Sequence, residues 1–482
     1  MPSGTGSRSR RDFLRLVAGG GAALALARLV RGADAAPAAE RPNFIILFTD
    51  DQGYQDVGCF GSPLIRTPRL DRMAAEGMKF TDFYVAGPVC TPSRAALLTG
   101  CYPKRVGLTR VLFPKEKGGL KPEHVTVAEV LKSRGYATMC IGKWHLGDQP
   151  ESMPLRQGFD AFFGLPYSND MKPELLMRGD EVIENPAVQE TLTERYTAEA
   201  VRFITENKDR PFFLYLPHTM PHIPLSASEK FKGKSPRGLY GDVIEAIDWS
   251  TGEILDTLGR LGIDERTLVV FTSDNGPWLE KKKDGGCALP LRSGKGTTWE
   301  GGMREPCIVR WPGHVPVGAV CREMALSMDL MPTFARLAGA ELPAGAAVDG
   351  RDIWPLMAGT AGAKTPHEAF FYWNDSNLQA VRSGRWKVIL HAQGPAKEDE
   401  EPSRRDELYD LKYDIGETMD LALDYPHVVE PLRALAAKHC KELKGSLGKP
   451  RKKLPKKKEA EPAPAKAPAA TPAKSPAPAA KK

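Results

Sequence analysis

An α/β fold is predicted: a large, mostly parallel sheet flanked by helices, followed by a smaller antiparallel sheet with a terminal helix. Three features of the 482-residue chain predict it. Short apolar runs of strand length recur at Asn43–Thr49, Ala137–Gly142, Pro211–Leu216 and Leu268–Ser273. Amphipathic stretches lie between them at Val125–Ser133, Thr193–Ile204 and Tyr240–Leu258, the alternation that builds parallel sheets covered on both faces. Past Thr365 the pattern changes. Ala369–Trp373, Ala380–Arg382 and Trp386–His391 read as antiparallel strands, Glu407-Leu408-Tyr409-Asp410-Leu411 follows, and a helix spans about Pro426–Leu443. Roughly 410 residues between the two ends suffice for a large core and a smaller one, and no internal repeat occurs.

The first strand-like run, Asn43–Thr49, ends in Asp50-Asp51, and the last, Leu268–Ser273, ends in Asp274-Asn275. Ligands of open α/β sheets bind at the carboxyl ends of strands. Four hard-oxygen side chains meeting there suit Ca²⁺, with Mg²⁺ as the alternative, better than zinc. A lone Asp-Asp is commonly a solvated turn; two such pairs, each closing a buried-type strand, argue for a site.

Cys90-Thr91-Pro92-Ser93-Arg94 opens a helical pattern that runs to Gly100. Pro92 is tolerated in a first turn, and Thr91 and Ser93 are expected as caps. Arg94, one turn on, is expected to bring its guanidinium beside the Cys90 side chain. Helix N-terminus and guanidinium together favour an anion. The plain alternative is a buried structural cysteine.

Gly142-Lys143-Trp144-His145-Leu146-Gly147 ends the second strand-like run. Extended alternation across Trp144 would point Lys143 and His145 to one face, a cation and an imidazole suited to an oxyanion and a proton transfer. His218 and His222 follow the third run in Pro217-His218-Thr219-Met220-Pro221-His222-Ile223-Pro224. In Gly294-Lys295-Gly296-Thr297-Thr298-Trp299-Glu300-Gly301-Gly302 the flanking glycines let Lys295 approach a ligand closely, whereas most glycine-rich loops are merely surface. Lys281-Lys282-Lys283 lies between these last motifs, at the mouth of a site or as a solvated loop.

Taken in order, C-T-P-S-R, G-K-W-H-L-G, the His222-x-Pro step, the loop around Lys295 and the two oxygen-donor pairs resemble the motifs of type I sulfatases, members of the alkaline phosphatase superfamily. Thr81-Asp82-Phe83-Tyr84-Val85 and Pro166-Tyr167-Ser168-Asn169-Asp170 resemble the arylsulfatase A branch. The likeness covers about Pro42 to Leu443, with Ser293 standing where the family pattern has Gly. It implies an alkaline phosphatase-like fold and hydrolysis of sulfate esters. It also implies conversion of Cys90 to formylglycine by a formylglycine-generating maturase, and a metal on Asp50, Asp51, Asp274, Asn275 and residue 90. Arg94 and Lys143 would hold the nucleophile, His145 would assist release of sulfate, and Lys295 and His222 would serve the leaving oxygen. Lys143, Ser168, His222 and Lys295 would touch the sulfate, with His218 a supporting or packed core histidine. The substrate class implied is a sulfated small molecule or polysaccharide. Rival readings are a phosphonate monoester or phosphodiester hydrolase of the same superfamily and a non-catalytic binder of sulfated glycans.

The two ends differ from the body. Ser9-Arg10-Arg11-Asp12-Phe13-Leu14-Arg15, an apolar run Leu16–Ala27 and Ala33-Asp34-Ala35 resemble a twin-arginine export signal with its cleavage site. They imply a translocase partner and a periplasmic or extracellular enzyme, membrane-anchored if the signal stays uncleaved. Expected segments are thus a signal over 1–35, a catalytic domain over 36–364, a C-terminal subdomain over 365–448 and a Lys/Pro/Ala-rich tail over 449–482 that cannot repay its ordering entropy. The tail carries +9 and the signal +4 of a chain total of +7, which leaves the body at −6. The tail suits either an anionic surface or a solvated role. The body lacks a basic-aromatic nucleic-acid pattern, so nucleic acid is not an expected partner. Eight cysteines show neither a disulfide framework nor metal spacing.

Overall fold

The computed structural model describes residues 41–450, save 343, 344, 346 and 394–403. The expected export signal, and the tail beyond Pro450, lie outside the described residues. The central sheet has eleven strands: β1 Asn43–Thr49, β2 Met78–Tyr84, β3 Ala137–Lys143, β4 Ala161–Leu165, β5 Leu176–Arg178, β6 Glu181–Glu184, β7 Phe212–Pro217, β8 Thr267–Ser273, β9 Arg304–Arg310, β10 Ala319–Cys321 and β11 Ala325–Leu326. Their order is β10-β2-β9-β8-β1-β7-β3-β4-β5-β6, with β11 beside β2. The centre β8-β1-β7-β3-β4 is parallel; β9 runs against both β8 and β2, and β5 and β6 are antiparallel additions at the far edge.

β1 is buried over its whole length, and its side chains alternate between two cores. Phe44, Ile46 and Phe48 pack with helices α2 (Cys90–Thr99), α3 (Val127–Lys132) and α6 (Leu330–Ala338). Ile45 and Leu47 pack with α1 (Pro68–Ala75), α4 (Leu192–Glu206) and α5 (Leu239–Leu261). This two-sided cover explains why the parallel strands read as continuous apolar runs.

The second sheet, β12 Phe370–Asn374, β13 Asn377–Ser383, β14 Trp386–Ile389 and β15 Glu407–Asp410, is an antiparallel meander, with β16 Ser446–Leu447 added in parallel to β13. Helix α7, Pro426–Glu442, packs on it, and a third core joins it to Tyr84, Met303 and Met328 of the main body. Lys449 pairs with His391 in an isolated parallel bridge and sets its ammonium 4.0 Å from the Trp299 ring. No helix among the described residues is long and apolar enough to cross a membrane. All eight cysteines are free thiols.

Candidate active site

The carboxyl ends of β1, β8, β3 and β7 converge on the N-terminus of α2. Asp50, Asp51, Asp274 and Asn275 are all at most 3% exposed. Asp51 is tied to the other pair twice: its amide donates to Asp274 Oδ1 at 3.1 Å, and Asn275 Nδ2 donates to Asp51 Oδ1 at 2.8 Å. Among the described residues, Asp50, Asp51, Cys90 and His222 bring ligand atoms within 4.8 Å of one another. Asn275 Oδ1 is buried with no hydrogen-bond partner. A fixed hard-oxygen acceptor beside two carboxylates is what a hard divalent cation requires, so the donor set fits such an ion. Sequence reasoning left His222 out of this cluster.

Cys90 is the first residue of α2, and its thiol lies 3.4 Å from Asp50 Oδ1. Lys143 Nζ approaches the sulfur at 3.5 Å and Lys295 Nζ at 3.9 Å. Burial, followed by the charge of Asp50, pushes the thiol well above the usual range despite the two lysines, so residue 90 as a cysteine is a neutral thiol. The expected caps are not used. The helix begins at Cys90, so Thr91 and Ser93 already lie inside its first turns, and the cap position falls to Val89, which has no side-chain acceptor. Thr91 Oγ1 donates instead to the His145 carbonyl at 2.9 Å. Arg94 turns its guanidinium to the acidic cluster. Its guanidinium makes no hydrogen bond to Cys90; it donates to Asp274 Oδ2 at 2.7 Å and to the Lys143 carbonyl at 2.9 Å, and lies 3.5 Å from Asp50.

Lys143 ends β3 and donates to Asp50 Oδ2 and, at 3.0 Å, to Ser168 Oγ. Burial works against the Asp50 anion, yet Lys143, Arg94, His222 and Lys295 together hold its carboxyl well below the usual range. Asp274 goes the other way, up to about 7, from burial and the like charge of Asp50. Lys295 Nζ donates to Asp51 Oδ2 at 2.7 Å. His145 reaches the site by a route other than strand alternation: β3 stops at Lys143, and His145 turns with φ +59°. Its Nε2 meets the Leu112 carbonyl at 3.0 Å, while Nδ1 is buried without a partner. Burial and the Lys143 and Arg94 charges push its pKa well down. His222 Nδ1 meets the Ile223 carbonyl at 2.6 Å and Nε2 lies 3.6 Å from Asp51 Oδ2; burial lowers its pKa too. His218 is separate, 1% exposed, with neither ring nitrogen bonded.

Two residues that the sequence reading passed over belong to this neighbourhood. Trp278, three residues after Asn275, sets its ring 5.7 Å from the His222 ring and 4.5 Å from Lys295 Nζ. Glu305 is fully buried with both carboxyl oxygens unpaired, and burial together with the charges of Asp274, Asp51 and Asp56 pushes its pKa well above the usual carboxylate range. Trp278 is separated only by Gly276 and Pro277 from a strand-end pair, a usable signal; Glu305 sits in a strand that the sequence reading did not identify.

The family model for sulfatases matches residues 42–340, and that for the C-terminal region of N-sulphoglucosamine sulphohydrolase matches 294–442. The chain belongs to the sulfatase family. It is 41% identical to human arylsulfatase A over 449 residues, covering 82% of this chain and 87% of that protein. It is 43% identical to N-acetylgalactosamine-6-sulfatase of Rattus norvegicus over 383 residues, 74% of this chain and 72% of the relative. Among solved structures, Ps i-CgsB in complex with k-i-k-neocarrahexaose superposes with a TM-score of 0.73 at 32% identity, covering 83% of this chain and 93% of that one. This sulfatase therefore hydrolyses sulfate esters on an alkaline phosphatase-like scaffold.

Proposed function

We propose that this sulfatase acts through formylglycine made from Cys90 and a Ca²⁺ ion, with Mg²⁺ as the alternative, held by Asp50, Asp51, Asp274, Asn275 and residue 90. The observation that carries the reading is the position of Cys90: a buried helix N-terminus with Lys143, Lys295 and Asp50 all within 4 Å of its sulfur. A neutral buried thiol is a poor nucleophile at neutral pH, whereas these neighbours suit an oxygen nucleophile and a sulfate. When bound and formed, the two groups supply positive charge against the sulfate oxygens and a hydrated aldehyde with two hydroxyls.

The side chains divide the remaining work. Lys143, fixed between Asp50 and Ser168, places its charge between nucleophile and sulfate. Arg94 fixes Asp274 and the end of β3 and so orients the acidic cluster. A carbonyl only accepts, so His145 carries its proton on Nε2 toward Leu112 and keeps the Nδ1 lone pair free. Its depressed pKa keeps it neutral, ready to take the proton whose removal expels sulfate. By the same argument His222 is protonated on Nδ1 toward Ile223. Lys295, whose pKa is raised by its pairing with Asp51 against the cost of burial, is then the charged donor for the leaving oxygen.

The substrate proposed is a sulfated glycan or a smaller sulfate ester, supported by the glycan-bound relative and the sugar-sulfate relatives. Export by the twin-arginine translocase, after cytoplasmic maturation, completes the proposal. So does a division into a catalytic domain over 36–364 and a subdomain over 365–448. The test is mass spectrometry of the peptide that holds Cys90, paired with sulfate release by Cys90→Ala. The expected outcome is an aldehyde or its hydrate at residue 90, and loss of at least about 10³-fold in kcat for Cys90→Ala with the fold intact. An unmodified thiol in active enzyme, or near-native turnover by the variant, would overturn the proposal.

A further inference from the structure

The loop from Trp278 to Gly285 leads from the metal-binding pair toward Lys295 and is rigidly held. Arg237 donates to the Lys283 and Gly285 carbonyls at 2.8 and 2.7 Å. A Cβ on Gly285 would meet the Trp278 carbonyl oxygen at 2.3 Å, so the chain passes there in close contact. Lys282 is held at φ 55°, ψ −112°, a sparsely populated conformation of the kind retained at ligand clamps. Beside it, the Lys281 ammonium lies 4.0 Å from the Trp278 ring. The same indole has Lys295 Nζ at 4.5 Å and the His222 ring at 5.7 Å.

Trp278 therefore joins two ammoniums that differ in one respect. Lys295 is paired with Asp51, whereas Lys281 has no carboxylate partner among the described residues; its only contact of this kind is the indole face. Lys281 is half-buried, unlike its exposed neighbours Lys282 and Lys283. A partly desolvated, unpaired cation thus shares one ring with the lysine assigned to the leaving oxygen.

We infer that Lys281, positioned by Trp278, recognises a second anionic group on the leaving-group side of the substrate, a carboxylate or another sulfate. This rests on the assignment of Lys295 and His222 to the leaving oxygen. It narrows the substrate class to sulfate esters whose alcohol carries a further negative charge, as acidic and multiply sulfated saccharides do. The contribution expected is that of a single partly exposed ion pair, which sets KM rather than kcat.

The test compares 4-nitrophenyl sulfate with 3-carboxy-4-nitrophenyl sulfate, a pair differing by one charge, on matured full-length enzyme. Wild type should show a KM about fivefold lower for the carboxylated ester, and the preference should shrink as salt rises. Lys281→Ala should erase the KM ratio and Lys281→Arg should restore it, while Trp278→Ala should weaken it through loss of positioning. An unaltered ratio in Lys281→Ala, or no preference in wild type, would overturn the inference and leave the sulfatase mechanism standing. Turnover of neither ester by matured wild type would overturn the sulfatase reading for aryl esters and this inference with it.

Discussion

At the scale of single residues, Asn275 separates a metal site from a network of salt bridges. Its Nδ2 is used on Asp51 Oδ1 and on the Gly276 carbonyl, and its Oδ1 is buried beside the acidic cluster with nothing to accept from. An unpaired buried acceptor costs about 1–3 kcal/mol, a cost that a cation removes. Asn275→Leu is thus expected to lower bound Ca²⁺ or Mg²⁺ well below one per chain in elemental analysis, and affinity by at least about tenfold. Stoichiometric metal in the variant would remove Asn275 from the ligand set. The two oxygen-donor pairs, Lys143, His145 and His222 stood out in the sequence because each lies within a few residues of the end of an apolar run, and strand ends of a parallel sheet meet; Cys90, Ser168 and Lys295 follow no such run and were singled out by their motifs. What escaped was backbone direction. The turn at His145 and the start of α2 at Cys90 depend on contacts such as Thr91 with the His145 carbonyl, made across 54 residues of chain.

At the scale of elements, the parallel strands β1, β3, β7 and β8 were legible, whereas parallel β4, the short β10 and β11 and the antiparallel strands of the main sheet were not. β2 carries Lys79 and Asp82 among its apolar residues, so its run is broken. β9 includes Arg304, Glu305 and Arg310, all buried, which no hydropathy pattern marks as strand. Arg310 pairs with Glu76 and Asp264 of the main body, whereas Asp82 and Arg304 belong to a cluster that the second sheet completes. Asp82 binds Arg304 and Arg382 at 2.8 and 2.7 Å. Lys387 of β14 lies 2.9 Å from Glu300 and 2.8 Å from Glu417, all three fully buried. Burial raises Glu300, but Lys387, Arg304 and Arg382 bring it down to about 2; Glu417, with less help, is pushed up. This cluster fastens the smaller sheet to the segment that carries Lys295. Lys387→Met would leave two buried carboxyls facing each other without their cation. A loss of about 3–5 kcal/mol in urea unfolding is expected, with weaker activity following from the displaced Lys295 loop. A loss under 1 kcal/mol would show that the two sheets are held by the apolar core alone.

At the scale of the whole molecule, buried histidines and buried carboxyls oppose each other as the pH falls. Burial alone pushes His218 down to about 4, and His439 likewise drops to about 4. An unfolded histidine titrates near 6.5, so between about pH 6.5 and 4 the unfolded chain takes up a proton that the native chain refuses. This contribution to stability is complete above pH 6.5 and is lost as pH falls toward 4. Asp56 and Asp248, raised by burial to about 6 and about 7, act in the opposite sense: the native state binds their protons first and gains stability over the same acid range. Wild type should therefore tolerate mild acid better than its buried histidines alone would allow. His218→Gln isolates one side of this balance, because neither nitrogen of His218 has a bond to lose. Measured by urea midpoints, the variant should gain about 2–3 kcal/mol on wild type between pH 7 and pH 4.5. A difference between the two proteins that stays constant over that range would mean that His218 takes up its proton at the same pH in the native core as in the unfolded chain, and that burial does not shift it.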